Sequence, residues 1–214
     1  MLEQADRSPG KKRDPVKSRR RILDAAVRHF GQRGLHGGRV EEILAEAGLS
    51  HRMLYHYFGD KEGLYLATLE HAYEQIRSAE QALNLDAMEP EDALRAFVTF
   101  SFDYAAENPD LMRLFYQEDL LEAAHLSRST RIGALHEPLI LTLDRLLERG
   151  VTMGVFAPWI DPVQLYFSIA GCAGFALSNR FILSTIFGRD MTSPYFLQER
   201  RQHVIDFVMT AVRP

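Results

Sequence analysis

The 214 residues are 46% apolar and 25% charged with a single cysteine, Cys172, which excludes a disordered chain and an internal disulfide and fits a reducing compartment. The net charge of −4 hides a split: residues 1–61 hold 13 Lys+Arg against 8 Asp+Glu, and the remainder holds 12 against 21, with no lysine after Lys61. A basic N-terminal third on an acidic body points to a polyanionic partner for the first part alone.

Residues 1–16 carry Pro9, Gly10 and Pro15 and no apolar run. They read as a basic arm rather than a secretory signal, and a cytoplasmic protein is expected. Lys11, Lys12, Arg13, Lys17, Arg19, Arg20 and Arg21 crowd the approach to the first helix. They are suited either to phosphates and an adjacent minor groove or to a solvated tail. The first helix is expected over Lys17–Arg33, with Ile22, Leu23, Ala26, Val27 and Phe30 inward and Gly34 ending it.

The most informative stretch follows. Val40, Ile43, Leu44 and Ala47 fall at i, i+3, i+4 and i+7, one apolar face of a short helix. Gly48 can take positive φ just past its end, and Ser50 is placed to N-cap a second short helix carrying Leu54 and Phe58 inward. Two short amphipathic helices joined by a glycine-containing turn make a helix-turn-helix. The second helix also carries His51, Arg52, Met53, Tyr55, His56 and Tyr57, the donors, cation and rings that suit phosphates and base edges.

With its flanks, this stretch resembles the DNA-binding domain of the TetR family of transcriptional regulators over about residues 19–66. The residues that carry the likeness are Ile22, Leu23, Ala25, Ala26, Phe30, Gly34, Ile43, Ala47, Gly48, Ser50, Leu54, Tyr55, Phe58, Lys61, Glu62 and Leu64. Three departures stand out. Gly38 and Arg39 replace a Thr/Ser pair, Leu44 replaces a small Ala, and Arg52 replaces Gly or Ala.

Beyond the motif, Asp60 is expected to cap a long helix over Lys61–Leu83, striped by Leu64, Leu69, Ala72, Tyr73, Ile76 and Leu83. Residues 84–90 break the pattern, and the boundary between the two parts is expected there in energetic terms, with the long helix physically connecting them. Pro90 opens a helix to Glu107, Asn108-Pro109 stops it, and further helices are expected over residues 110–124 and Leu126–Arg149, the latter with Pro138 inside. The segment Asp161–Phe187 reads as one apolar helix buried on all sides. Asn179 and Arg180 and its proline start argue against a membrane span. A last helix is expected over Pro194–Val212, and no strand pattern is visible. The resulting division is an arm (1–16), a helix-turn-helix domain (17–62) and an all-α ligand-binding and dimerisation domain (63–214).

Catalytic signals are absent: no phosphate-cradling Gly loop, no G-x-S-x-G and no H-E-x-x-H. The histidines do not converge, since His51 and His56 point to different faces and His125 and His136 lie too far apart along a helix. Neither a metal nor a cofactor is expected, and Glu118 and Asp119 read as solvated or ion-paired. The resemblance implies an effector cavity in the second domain. Its candidate liners are Phe100, Tyr104, Arg113, Tyr116, Gln117, Trp159, Gln164, Ser168 and Cys172. With RLFYQE at 113–118 and GVFAPWIDPVQLYFSI at 154–169, the C-terminal half is similar to the pyrimidine-responsive, RutR-type branch of the family.

The function expected is a homodimeric, ligand-responsive repressor that releases a palindromic double-stranded operator when a small molecule binds. Arg39, His51, Arg52, Met53 and Tyr55 would meet base edges or groove walls, Tyr57, Lys61 and His56 would hold phosphates, and Ser50 is counted with them among the DNA-binding residues. Gly171, Gly174, Phe175, Val204, Phe207 and Val208 are expected at a four-helix dimer interface. The alternatives are a non-specific DNA binder and a helical carrier or enzyme that ignores DNA.

Overall fold

The computed structural model describes residues 14–214, which form ten α-helices and two short 3₁₀ turns with no strand among them. Residues 1–13 of the basic arm lie outside the described residues. The last three of the expected arm are already part of the first helix boundary: α1 spans Pro15–Gly37, with the Asp14 carboxylate accepting the Val16 and Lys17 amides. That cap and a proline at the first helical position start the helix two residues earlier than the apolar spacing alone indicates. Gly34 breaks the helical dihedrals at φ 67°.

The motif helices are α2 (Val40–Ala47) and α3 (His51–Phe58), and Gly48 between them sits in the left-handed region at φ 64°, ψ 38°. A side chain there would strain the turn. Two of the departing residues, Gly38 and Leu44, have packing reasons. A Cβ on Gly38 would fall 2.5 Å from the Phe30 ring, and Leu44 fills the core at 2% exposure. Helix α4 (Lys61–Gln81) starts at Asp60, whose carboxylate accepts the Gly63 amide at 2.7 Å.

The remaining helices are α5 (Pro90–Glu107), α6 (Pro109–Leu120), α7 (Ile132–Thr152), α8 (Pro162–Ser178), α9 (Arg180–Phe187) and α10 (Pro194–Ala211). Two expected helices are divided. The segment from Leu126 makes only a 3₁₀ turn to Arg128, and α7 begins at Ile132. Tertiary bonds hold the gap open: the Ser129 hydroxyl donates to Glu70, and Arg131 pairs with Glu70 and Glu74 on α4. The apolar segment 161–187 bends by 67° between α8 and α9. There the Asn179 side-chain amide donates to the Phe175 carbonyl, closing the end of α8. No single helix among the described residues is long and apolar enough to cross a membrane.

Two apolar cores divide the fold. The first gathers α1, α2 and α3, the first half of α4, and Leu111 and Leu114 of α6. The second gathers α5, α7, α8 and α10 with Phe156. The boundary expected at 62/63 therefore does not separate the packing. Leu64, Tyr65, Leu69 and Ala72 of α4 belong to the first core, and Met112 of α6 packs against both cores. Helix α6 is set against α1 so closely that a Cβ on Gly31 would lie 2.1 Å from the Asp110 carbonyl oxygen. Glu118, expected in solvent or an ion pair, is buried at 3% exposure. Its carboxylate accepts the His125 and Leu126 amides at 2.7 and 2.8 Å and meets His125 Nδ1 at 3.1 Å. It ties the end of α6 to the loop beyond it.

Candidate nucleic-acid interface and ligand cavity

The short α3 is held by Leu54, 3% exposed, with Met53, Tyr57 and Phe58 half-buried against the same core. Ser50, His51, Arg52, Tyr55 and His56 are all exposed, spread around the part of the helix that Leu54 does not bury. Ser50 occupies the N-cap position, but its side chain makes no cap hydrogen bond and stays available. Tyr55 is 66% exposed, an unusual burden for an aromatic ring that the fold does not use. Met53 and Tyr57 belong more to the core than the sequence reading placed them.

Neighbouring elements extend this face. Arg39 is exposed at the start of α2, 3.6 Å from Glu42, and His51 lies 3.8 Å from Glu41. Arg19 stacks over the Phe58 ring at 5.4 Å. Lys61 donates to the His36 carbonyl at 3.2 Å, so one donor of its ammonium already closes the end of α1. Behind the face, Arg28 and His29 hold Glu46, and Arg33 holds Glu42, locking α1 to α2. The Arg28 hydrogen bond keeps the Glu46 carboxyl below its ordinary range. These pairs leave the outward side of α3 to other partners.

A cavity of about 410 Å³ lies in the second domain among α4, α5, α6, α7 and α8. Tyr73, Phe115, Tyr116, Tyr166, Phe167 and His136 supply its aromatic wall, with Tyr73 stacked on Phe115 at 4.3 Å. Two charged side chains from α4, Arg77 and Glu80, line it while only 5% exposed. Arg77 Nη2 donates to Glu80 Oε1 at 2.8 Å, and the guanidinium lies over Tyr166 at 5.7 Å. Burial outweighs this pairing and pushes the Glu80 carboxyl up to about 7. Burial also lowers His136, with Arg77 adding to the effect, and raises Tyr73.

Of the expected liners, only Tyr116 reaches this cavity. Phe100 packs its ring against Tyr104, and Tyr104 leans on the N-terminal core. Arg113 pairs with Asp110 on its own helix, Gln117 sits under Gly34, and Trp159 is 75% exposed on the loop after α7. Gln164 and Ser168 lie on the outer side of α8, and Cys172 packs against the second core. The residues that sequence reasoning missed had one visible signal. Glu80 falls four positions after Ile76, where the apolar stripe of α4 should continue, so a charge interrupts a buried face.

The expected dimer face is also revised. Val204 and Val208 are 1% and 3% exposed inside the chain's own second core, which leaves them nothing to offer a partner. Gly174 is set beneath Tyr116, whose hydroxyl would lie 3.3 Å from an added Cβ, and it lines the cavity. Gly171 is exposed with open space over it. Nor is α8 covered on all sides. Phe167, Phe175, Phe181, Ile186, Phe187 and Phe207 are each more than half exposed on α8, α9 and α10.

Comparison with known proteins agrees with this geometry. The family model described as bacterial regulatory proteins, tetR family, matches residues 22–68, and that for the tetracyclin repressor-like C-terminal domain matches residues 90–208. The chain is 34% identical over 197 residues to the HTH-type transcriptional repressor NicS of Pseudomonas putida, covering 92% of this chain and 93% of that one. It is 28% identical over 215 residues to the HTH-type transcriptional regulator RutR of Escherichia coli, covering all of both. Its fold resembles that of a TetR transcriptional regulator from Chloroflexus aurantiacus, with a TM-score of 0.69 at 22% identity over 93% of this chain and 98% of the other. The chain belongs to the TetR family and is a ligand-responsive, DNA-binding transcriptional regulator.

Proposed function

We propose that this regulator is a homodimeric repressor, not an enzyme, acting in the cytoplasm. Two copies of α3 enter successive major grooves of a palindromic operator, and a small molecule in the α4–α8 cavity releases them. The observation that carries this reading is the outward side of α3. Ser50, His51, Arg52, Tyr55 and His56 are exposed there while Leu54, with Met53, Tyr57 and Phe58, anchors the helix to the core. Donors, a guanidinium and a ring on a helix that the fold does not otherwise need suit base edges and groove walls. Arg39 and the N-terminal basic residues suit the flanking phosphates, and the half-buried Tyr57 and Lys61 suit the edge of that contact.

Dimerisation is supported by the uncovered aromatic face of α8, α9 and α10, a group of large apolar side chains left exposed by the fold, as interaction surfaces are. Phe175, Phe207 and Gly171 lie on it. Ligand response is supported by the position of α4. One helix carries Lys61 at the motif and Arg77 and Glu80 in the cavity, so a ligand that shifts the far end acts on the near end through a rigid element. The repressor's name borne by the Pseudomonas relative supports the sign of regulation. A reporter fused to the promoter upstream of the chain's own gene tests the sign: deletion of the regulator should raise expression, and a fall would make it an activator.

A further inference from the structure

Arg77 is an unusual residue to bury. Its side chain is 5% exposed, and its Nε and Nη1 donors have no hydrogen-bond partner among the described residues, although Nη2 is held by Glu80. Oxygen Oε2 of Glu80 is likewise without a partner. Buried guanidinium donors left unpaired are costly, and natural folds rarely leave several of them in one place. Both side chains line the aromatic cavity and also a smaller space of about 160 Å³ toward Leu135 and Pro138 of α7, and only the larger of the two has room for a ring together with the missing acceptor.

The geometry points to a small organic anion, a planar ring bearing a carboxylate, as the class of ligand: its oxygens accept from Arg77 and its ring lies among Tyr73, Phe115, Tyr116 and Tyr166. This assignment rests on the reading of the cavity as the effector site. A carboxylate matches the planar guanidinium better than any neutral acceptor and compensates its charge away from water. The stacked Tyr73–Phe115 pair and the Tyr166 ring beneath the guanidinium build flat, apolar walls. A volume of about 410 Å³ suits one ring or two fused rings and is small for anything with a long tail. Glu80 would otherwise oppose a second carboxylate. Its burial already favours the protonated form, which can donate to the anion rather than repel it.

Benzoate, its neutral isostere benzamide and indole serve as test compounds, titrated calorimetrically against the full chain at millimolar concentration. Benzoate should bind at least about tenfold more tightly than benzamide, the difference expected for a charge-assisted pair. That preference should vanish in Arg77→Met combined with Glu80→Met, which removes the buried pair together and leaves no orphaned charge. Arg77→Lys, which keeps the charge but loses the planar fork, should reduce it. Benzamide binding as well as benzoate, or a benzoate preference that survives in the double variant, overturns the assignment. So does an absence of benzoate binding. Indole separates this failure from failure of the cavity reading: indole binding that is lost in Ala170→Trp shows an open apolar cavity whatever the anion result.

Discussion

At the scale of single residues, the chain carries charge in two different ways. Arg52 is exposed on α3 and contributes nothing visible to packing, so Arg52→Ala should leave the urea midpoint unchanged. It should weaken operator binding by about 1–3 kcal/mol if the guanidinium reads a base. Equal operator affinity for the variant and the parent would remove Arg52 from the contact set. Glu80 is the opposite case. Its native carboxyl is raised to about 7 by burial, so the native state holds a proton that the unfolded state releases near the ordinary value of 4.5. The unfolded state binds fewer protons through that window, so this group's contribution to stability falls as pH rises from about 4.5 to about 7, by on the order of 1–3 kcal/mol. Glu80→Gln should remove that fall, seen as a flatter dependence of the melting temperature on pH than the parent shows. Parallel curves for the two proteins would mean that Glu80 titrates normally.

At the scale of elements, much of the motif was legible because its signals are local. The spacing of Val40, Ile43, Leu44 and Ala47, the left-handed Gly48 and the Asp60 cap each act within one turn of chain, and all three appear in the fold. Pro90 and Asn108-Pro109 bound α5 for the same reason. What failed was decided at a distance. The delayed start of α7 depends on Glu70 and Glu74 of α4, and the burial of Glu118 depends on amides of the loop after α6. No periodicity within either segment contains those partners. The cavity is harder still, since its walls come from five helices and only the interrupted stripe at Glu80 announces it.

The contact of α1 with α6 is the element-scale feature most open to test. Gly31 lets the α6 backbone approach, and a methyl group there would meet the Asp110 carbonyl at 2.1 Å. Gly31→Ala raises helix propensity, yet the overpacking should dominate and lower stability by about 1–3 kcal/mol. A urea midpoint equal to or above that of the parent would show that α6 gives way without cost. Leu111 and Leu114 extend the same contact from the other side, which places α6 in the core of the DNA-binding domain as well as beside the cavity.

At the scale of the whole molecule, three surfaces remain to be used: the outward side of α3, the α4–α8 cavity and the aromatic face of α8–α10. The last should bury at least about 2,000 Å² in total between two copies, as an obligate interface does. Phe175→Asp places a charge at its centre and should shift the sedimenting species at micromolar protein from a dimer to a monomer. A parent that sediments as a monomer would remove the dimer, and the paired half-sites with it.

Sequence-specific recognition is the claim on which the rest depends, and a fluorescence-anisotropy titration at physiological salt tests it most directly. One duplex carries the palindrome upstream of the chain's own gene, and the other carries the same bases shuffled. A regulator reading base edges through two copies of α3 should prefer the palindrome by about 10³-fold or more, with two chains bound per duplex at the equivalence point. Equal affinity for both duplexes would contradict it, leaving only the salt-dependent phosphate attraction of a basic N-terminal third.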